Sequence, residues 1–165
     1  MPTVEAMTRP GIPFFVGAAV AGLAHAAASL YWTLGGTWLL DTVGAFAVRM
    51  QEEGGLAIRA MLAGITVMKI AGALVPLVDH LRPPAHRWVR VVSWLGVAVL
   101  VAWGGMGMLG SWYSLATGTA LVTSGEQAAL VGHAFLWDPL FVVWGVLLGV
   151  GLLRSRGWWR AGVAS

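Results

Sequence analysis

Five ionisable side chains lie within or beside long apolar stretches of this 165-residue sequence. They are His25, Asp41, Lys69, His133 and Asp138. An imidazole accepts or relays protons, a carboxyl group donates them, and an amine does either or binds a polar group of a ligand. Ionisable groups are costly in apolar surroundings, so their presence there indicates a function by default. This set points to proton transfer or ligand binding inside an apolar protein.

Four apolar stretches must position these side chains. They cover residues 14–34, 56–78, 88–109 and 128–153, and each approaches the ~20 residues that an α-helix needs to cross the ~30 Å hydrocarbon layer. Only 10% of the residues are charged, against about 25% in soluble domains. We therefore predict an all-α polytopic membrane protein. Residues 1–165 are expected to form one integral membrane domain, a four-transmembrane-helix bundle with short helices on its outer face.

The arginines are distributed unevenly between the two ends of these spans. Four spans place both termini and the middle loop on one side, which holds Arg9, Arg82, Arg87, Arg90, Arg154, Arg156 and Arg160. The other side holds only Arg49 and Arg59. The positive-inside rule therefore predicts cytoplasmic termini and a multi-pass location in a bacterial inner membrane. Because these charges flank spans, we expect the lipid bilayer as partner and no nucleic acid.

Two of the ionisable residues lie near the middle of their spans. His25 shares one helical face with Ser29 and Trp32, and Lys69 shares a face with Thr66. A lysine at this depth predicts a carboxylate partner or an aqueous cavity. Both residues also have a structural interpretation, with His25 as a neutral histidine bonded to a carbonyl and Lys69 in an ion pair. The residues alone leave these alternatives open.

The two aspartates are the best candidates for a general acid. Asp41 and Asp138 each follow apolar and aromatic neighbours, and a desolvated carboxyl group resists ionisation and retains a proton that it can donate. Asp138 has a second interpretation, because an Asp-Pro pair is typical of a helix start, with Asp138 as N-cap and Pro139 at the first helical position. His133 lies five residues before Asp138, so a shared helical face is not predicted.

Aromatic side chains accompany the candidate acids toward the outer half of the protein. Of the ten tryptophans, some are explained by the interfacial belt of membrane proteins. Aromatic faces also stabilise cations, by ~2 kcal/mol or more when desolvated. An acid beside an aromatic, apolar pocket suits a carbocation reaction. The residues in question are Tyr31, Trp32, Trp38, Trp112 and Trp137.

Several other classes of chemistry are poorly supported. The sequence has no cysteine, which excludes disulfides, thiolate metal sites and cysteine nucleophiles. It has no Walker loop, no GxGxxG after a predicted strand, no HExxH and no GxSxG. The four histidines are predicted to lie at both membrane faces. We predict neither a metal nor a cofactor.

Two segments carry a resemblance to known proteins. Residues 30–38 (LYWTLGGTW) and 137–145 (WDPLFVVWG) contain the patterns YW-x-LGG-x-W and WDP-x-F-x-x-WG. Through them nearly the whole chain resembles a family of small bacterial four-helix membrane proteins catalogued as a domain of unknown function. Such proteins are similar to the membrane-bound terpene cyclases of bacterial indole-sesquiterpenoid pathways, which lack the DxDD and DDxxD motifs of soluble cyclases, as does this chain. The resemblance implies metal-independent cyclisation of a polyprenyl chain, begun by protonating an alkene or a terminal epoxide.

The leading hypothesis is a membrane-embedded cyclase for a lipophilic, farnesyl-indole-like prenylated substrate. Asp41 is the first candidate for the acid and Asp138 the second, with His25 or His133 accepting the final proton. The residues expected to bind the substrate are Tyr31, Trp32, Trp38, Lys69, Trp112 and Trp137. Two alternatives remain, namely a small carrier or channel, favoured by Lys69 and His25 near the midplane, and a non-catalytic membrane subunit.

Overall fold

The computed structural model of the chain describes residues 9–82, 85–118 and 124–157. Its elements are α1 (Ile12–Thr33), α2 (Ala45–Glu53), α3 (Leu56–Leu81), α4 (Arg87–Thr117), α5 (Ser124–Gly132) and α6 (Asp138–Arg154). A π-helical turn, His133–Trp137, joins α5 to α6. The chain stays right-handed helical through this junction, because Gly132, Trp137 and Asp138 all keep helical dihedral angles. The predicted all-α architecture is confirmed.

Four helical stretches are long and apolar enough to cross a membrane, namely Ile12–Thr33, Leu56–Leu81, Arg87–Thr117 and Glu126–Arg154. They correspond to the four predicted spans, and the chain is a multi-pass membrane protein. The largest difference is at α4, which continues eight residues past the predicted end at 109. It ends where Gly118 adopts a left-handed conformation, with φ of 60°, which is a common helix terminator.

The central helix of the bundle is α1, which packs against α3 on one side and α6 on the other. Small residues permit this close packing. A Cβ on Gly22 would lie 2.7 to 2.8 Å from atoms of Trp144 and Ala73. On the far side of α6, the GxxxG glycines Gly145 and Gly149 face α4. These small residues therefore allow the helices to approach closely.

The outer connection between α1 and α3 folds back onto the bundle, as its apolar composition predicted. Leu40 is buried there against Trp32 and Trp137. The segment then forms α2, which begins after Gly44 and ends at Gly54. Together with α5, α2 supplies the short outer-face helices that were expected. The outer segment therefore packs over the ends of α1 and α5.

Candidate functional site

A polar cluster lies between α1 and α3, inside the apolar bundle. The Nζ atom of Lys69 is 3.1 Å from His25 Nδ1 and donates a hydrogen bond to Ser29 Oγ at 2.7 Å. His25 and Ser29 are buried on the same face of α1, as the helical spacing predicted. Within the described residues no carboxylate forms an ion pair with Lys69. The predicted carboxylate partner is therefore replaced by an imidazole and a hydroxyl group.

Aromatic rings close off the other side of His25. The Phe141 ring lies 4.0 Å from the imidazole centroid, and the Trp137 ring lies 5.6 Å from it. His25 is only 4% exposed, and its Nε2 atom has no hydrogen-bond partner among the described residues. Lys69 Nζ also lies 5.8 Å from the centre of the Phe141 ring. On this side, the cluster is therefore covered by aromatic rings of the π-helical turn and α6.

Lys69 also lies on the wall of a large cavity. The cavity occupies about 690 Å³ between α3 and α4, which contact each other only slightly. Its floor is formed by α6 through Phe141, Trp144 and Leu148, and Lys69 is the ionisable residue among those that line it. The cavity is therefore apolar and aromatic, with a single amine on its wall.

The cavity is elongated and open to the side. Its lining on α4 runs from Trp88 to Trp103, a distance of about 22 Å at the ~1.5 Å rise per residue of an α-helix. Trp88, Trp103 and Met68 of α3 are each more than half exposed. In a bilayer these side chains face lipid. A lipophilic molecule can therefore reach the cavity without leaving the membrane.

A second polar pair lies in the π-helical turn near the outer end. His133 Nδ1 is 3.0 Å from Asp138 Oδ2, and His133 Nε2 is 3.2 Å from the carbonyl oxygen of Val43. In a regular α-helix, residues five apart point about 140° away from each other. The π-helical turn brings them together, which corrects the expectation that His133 and Asp138 do not share a face. Such turns occur frequently at functional sites.

The contacts of His133 define how its protons are distributed. The Val43 carbonyl can only accept, so Nε2 carries a hydrogen when it bonds there. One further proton is then shared between Nδ1 and the carboxyl group of Asp138. Asp138 is 1% exposed, and its carboxyl group lies against Gly107 of α4, where a Cβ would overlap Oδ2. The His133 side chain is 36% exposed, so the pair is a partly buried proton-holding site that also connects the outer segment to α6.

The structure corrects the interpretation of Asp138 as a helix N-cap. Asp138 has helical dihedral angles, and no side-chain cap is present at this helix junction. Pro139 has no N–H, so an i to i+5 bond to the carbonyl of Ala134 cannot form. The indole N–H of Trp112 donates to that carbonyl instead, at 2.9 Å. The helix thus continues through Pro139 because α4 supplies the missing donor.

Replacing Trp112 with phenylalanine is expected to destabilise the protein by about 1–2 kcal/mol, because the Ala134 carbonyl then loses its donor in apolar surroundings. Thermal unfolding in detergent measures the effect. Tyr113→Phe is the matched control, since Tyr113 is the next residue and is exposed. Equal melting temperatures for the two variants would contradict the role assigned to the indole N–H.

Asp41, the first candidate for the acid, does not have the expected surroundings. Its side chain is exposed at the outer end of the protein, so the packing of the chain does not desolvate it. Its neighbours Thr42 and Val43 make the contacts with the bundle, since Trp137 Nε1 donates to Thr42 Oγ1 at 3.0 Å. Of the apolar residues before Asp41, Leu40 is buried and Trp38 is exposed.

The aromatic residues that were predicted to bind the substrate lie in two different environments. Trp32 and Trp137 are buried edge to face, 5.2 Å apart, and the Trp32 indole donates to the Trp38 carbonyl at 3.0 Å. Tyr31 and Trp38 are exposed, Trp38 by 72%. Among the predicted substrate-binding residues, Lys69 alone lines the 690 Å³ cavity. The structure therefore does not place the aromatic side chains and the two aspartates around this cavity.

Sequence reasoning missed the aromatic residues that do line the cavity. They are Trp88, Trp103, Phe141 and Trp144. Trp88 lies beside Arg87 at the end of a span, where an interfacial tryptophan is expected, and Trp103 lies within an apolar span without a polar neighbour. The signal available for Phe141 and Trp144 was their place in the WDP-x-F-x-x-WG pattern, three and six residues after Asp138.

These features define a class of protein, a multi-pass helical membrane protein with a lipid-accessible apolar cavity and a half-buried lysine on its wall. The chain belongs to the family described as "Protein of unknown function (DUF3995)", which matches residues 22–148. The matched range includes His25, Lys69 and the His133–Asp138 pair. The expected membership in a family of unknown function is confirmed. No curated protein and no solved structure matches the chain.

Proposed function

We propose that the protein is a membrane-embedded, metal-independent terpene cyclase that acts on a lipophilic prenylated substrate. The observation that carries the proposal is the elongated aromatic cavity with Lys69 on its wall. Ligand cavities of about 300–1,000 Å³ with mostly apolar walls and few polar groups are typical of small-molecule sites. A farnesyl-indole-like molecule has this combination of length and apolarity.

The walls of the cavity suit a reaction that passes through carbocations. Trp88, Trp103, Phe141 and Trp144 present aromatic rings to the cavity, and desolvated aromatic faces stabilise cations by about 2 kcal/mol or more. Few polar atoms line the cavity, so a cation formed there meets little that would capture it. The substrate would be folded against these rings before the first bond breaks.

In this proposal the initiating proton comes from Lys69. Its ammonium group donates to Ser29 and contacts His25, which leaves a third N–H for an oxygen atom of the substrate. An ammonium is a weaker acid than a carboxylic acid, so a terminal epoxide is a better acceptor than an alkene. The proton moves to the epoxide oxygen, the carbon–oxygen bond breaks, and an alkene attacks the carbon to form the ring.

The same cluster can complete the cycle without a cofactor. After donating its proton, Lys69 is a neutral amine hydrogen-bonded to His25 and Ser29. Loss of a proton from carbon ends the cation cascade, and the amine takes up that proton. The product is an isomer of the substrate, and the enzyme returns to its starting protonation state. His25 would position the amine here, while Lys69 takes both the acid role first assigned to Asp41 and the acceptor role first assigned to His25 or His133.

Membranes containing the protein, incubated with farnesylated indole and with its terminal epoxide, provide the test. We expect products of unchanged mass but new retention time from the epoxide. Asp41→Asn is expected to retain turnover within about twofold, because the exposed carboxyl group lies outside the cavity. The proposal would be contradicted if the folded protein isomerised neither substrate. If the Asp41→Asn variant lost turnover, Asp41 rather than Lys69 would be the acid.

A carrier is the second candidate function, favoured by ionisable clusters at two depths of the bundle, Lys69–His25 and His133–Asp138. A group that binds and releases protons at each depth is a feature of proton-coupled transport. Proton or substrate flux in liposomes that disappears in Lys69→Met, with no isomerisation of the prenylated indole, would favour this function over the cyclase.

We further propose that the protein lies in a bacterial inner membrane with cytoplasmic termini, because seven arginines flank the spans on that side and two lie on the other. Since the chain has no cysteine, single cysteines report orientation directly. An impermeant maleimide applied to spheroplasts is expected to label Glu53→Cys and not Ala85→Cys. The reverse pattern would invert the topology.

A further inference from the structure

Lys69 has surroundings that suit a nucleophilic amine, which is a role beyond the proposed cyclisation. We propose that Lys69 forms an imine with a lipophilic aldehyde or ketone that occupies the cavity between α3 and α4. The ligand class is thus an elongated apolar molecule with a carbonyl group. The geometry of the cluster, the chemistry of its members and the form of the cavity support this assignment.

The first support is the set of groups around Nζ. Its two hydrogen-bond partners, His25 Nδ1 and Ser29 Oγ, are uncharged groups when the histidine is neutral. No carboxylate among the described residues holds the amine as an ammonium through an ion pair. A lysine positioned by an imidazole and a hydroxyl group can lose its proton without leaving a carboxylate unpaired.

The second support is the hydrogen-bonding state of His25. If Lys69 is an ammonium, His25 Nδ1 must accept, and the ring hydrogen then lies on Nε2, which has no partner among the described residues. If Lys69 is a neutral amine, Nδ1–H can donate to Nζ, and Nε2 carries no hydrogen. The cluster can therefore hold the ammonium that begins the proposed cyclisation, and once that proton has been given up, the neutral arrangement leaves neither a buried unpaired donor nor a charge in apolar surroundings. A neutral amine is the form that attacks carbonyl carbon.

The chemical step uses only these groups and the ligand. The Nζ lone pair attacks the carbonyl carbon, His25 Nδ1 gives its proton to the carbonyl oxygen, and the nitrogen returns one of its protons to Nδ1, which gives a carbinolamine. His25 then gives this proton to the hydroxyl group, which leaves as water, and takes up the remaining proton from nitrogen. The carbon–nitrogen double bond forms as the carbon–oxygen bond breaks. Amine and carbonyl compound give imine and water, so no oxidant or reductant is needed.

The third support is the cavity itself. Lys69 lies beside Phe141, toward the Trp103 end of the lining, and apolar surface continues from there to Trp88. A carbonyl group at one end of an apolar chain reaches Nζ when the chain lies along the cavity. The apolar walls also exclude water, which slows hydrolysis of an imine. The cavity therefore selects long aldehydes and ketones over short ones.

Modification of Lys69 can be tested specifically, because it is the only lysine in the chain. Purified full-length protein in nanodiscs is treated with hexadecanal and sodium cyanoborohydride, and with butanal as the short-chain comparison. We expect hexadecanal to be trapped on the peptide containing Lys69 at least tenfold faster than butanal. The α-amino group of the chain reacts with both aldehydes and serves as the internal reference.

Three variants complete the experiment. Lys69→Arg is expected to lose the adduct on this peptide, His25→Asn to slow trapping at least tenfold, and Asp41→Asn to behave as wild type. Equal trapping of the two aldehydes at Lys69, or no adduct on folded wild-type protein, overturns the proposal. Thermal unfolding of each variant shows that it is folded. Isomerisation of prenylated indole is assayed separately, so failure here is distinguishable from failure of the proposed cyclase.

Discussion

Replacing Lys69 with methionine is expected to lower cyclisation at least about 100-fold while the protein remains folded. General acids contribute about 10²–10⁴-fold to enzymatic rates, and Lys69 is the ionisable residue that lines the cavity. Methionine has a similar unbranched shape without the amine. Replacement of a buried ionisable group by a hydrophobic one of similar volume is often neutral or stabilising. The loss is therefore expected in turnover and not in the melting temperature, measured on the same nanodisc preparations.

The Lys69→Arg variant tests whether the reaction needs the proton of Lys69 or only its positive charge. A guanidinium keeps a positive charge and several donors but does not give up its proton in proteins. If Lys69 acts as the acid, the arginine variant is as inactive as the methionine variant. If only a positive field is needed, arginine restores much of the rate.

Val67→Ala is the control, because Val67 is an exposed residue of the same helix and is not among those lining the cavity. It is expected to retain turnover. A Lys69→Met variant within threefold of wild type would remove Lys69 from the reaction and leave the cavity without an acid.

The membrane fold was predictable because few backbone structures are stable for an apolar chain in lipid. Backbone groups inside a bilayer must be hydrogen-bonded within the protein, so runs of about 20 apolar residues form helices. The small residues Gly22, Gly145 and Gly149 also indicated where helices approach closely. These inferences depend on local sequence alone. They do not depend on which helix packs beside which.

The Lys69 cluster was only half predictable for that reason. Helical spacing placed His25 and Ser29 on one face of α1, and the structure buries that face. The partner of Lys69 depended on the packing of α1 against α3, which no local pattern specifies. A carboxylate was expected because it is the usual partner of a buried lysine, whereas the neighbouring helix presents an imidazole and a hydroxyl group.

The His133–Asp138 pair was not predictable from spacing. An Asp-Pro pair normally starts a helix, and α6 does begin at Asp138, but the π-helical turn His133–Trp137 leads directly into it and no N-cap is formed. Three distant features permit this, namely the Trp112 donor, the space beside Gly107 and the Val43 carbonyl. Each belongs to another part of the chain. Only the missing N–H of Pro139 is a local signal, and it is compatible with both outcomes.

Gly107→Ala is expected to destabilise the protein by about 1–3 kcal/mol, the usual cost of inserting extra atoms into a packed site. A Cβ at residue 107 would overlap Asp138 Oδ2 and lie 2.8 Å from its Cγ. The carboxyl group cannot simply turn aside, because it is 1% exposed and contacts His133 at 3.0 Å. Thermal unfolding in detergent gives the difference.

Gly110→Ala, on the same helix, is the matched control. A Cβ at residue 110 meets no atom within 4 Å in the described structure. Glycine is less favourable than alanine inside a helix by about 0.5–1 kcal/mol, so this variant is expected to be neutral or more stable. The comparison separates the steric effect at residue 107 from the general effect of replacing a helical glycine.

A double-mutant cycle with Asp138→Ala then tests whether Gly107 exists to accommodate the carboxyl group. Asp138→Ala removes the atoms that the new Cβ would overlap, so Gly107→Ala is expected to cost much less in that background. The two positions are in contact, and coupling energies of about 0.5–3 kcal/mol are usual for such pairs. Additive effects would mean that Gly107 serves only the packing of α4 on α6. Strong coupling would mean that Gly107 leaves space on α4 for the carboxyl group of Asp138. A smaller residue at position 138 would not need that space.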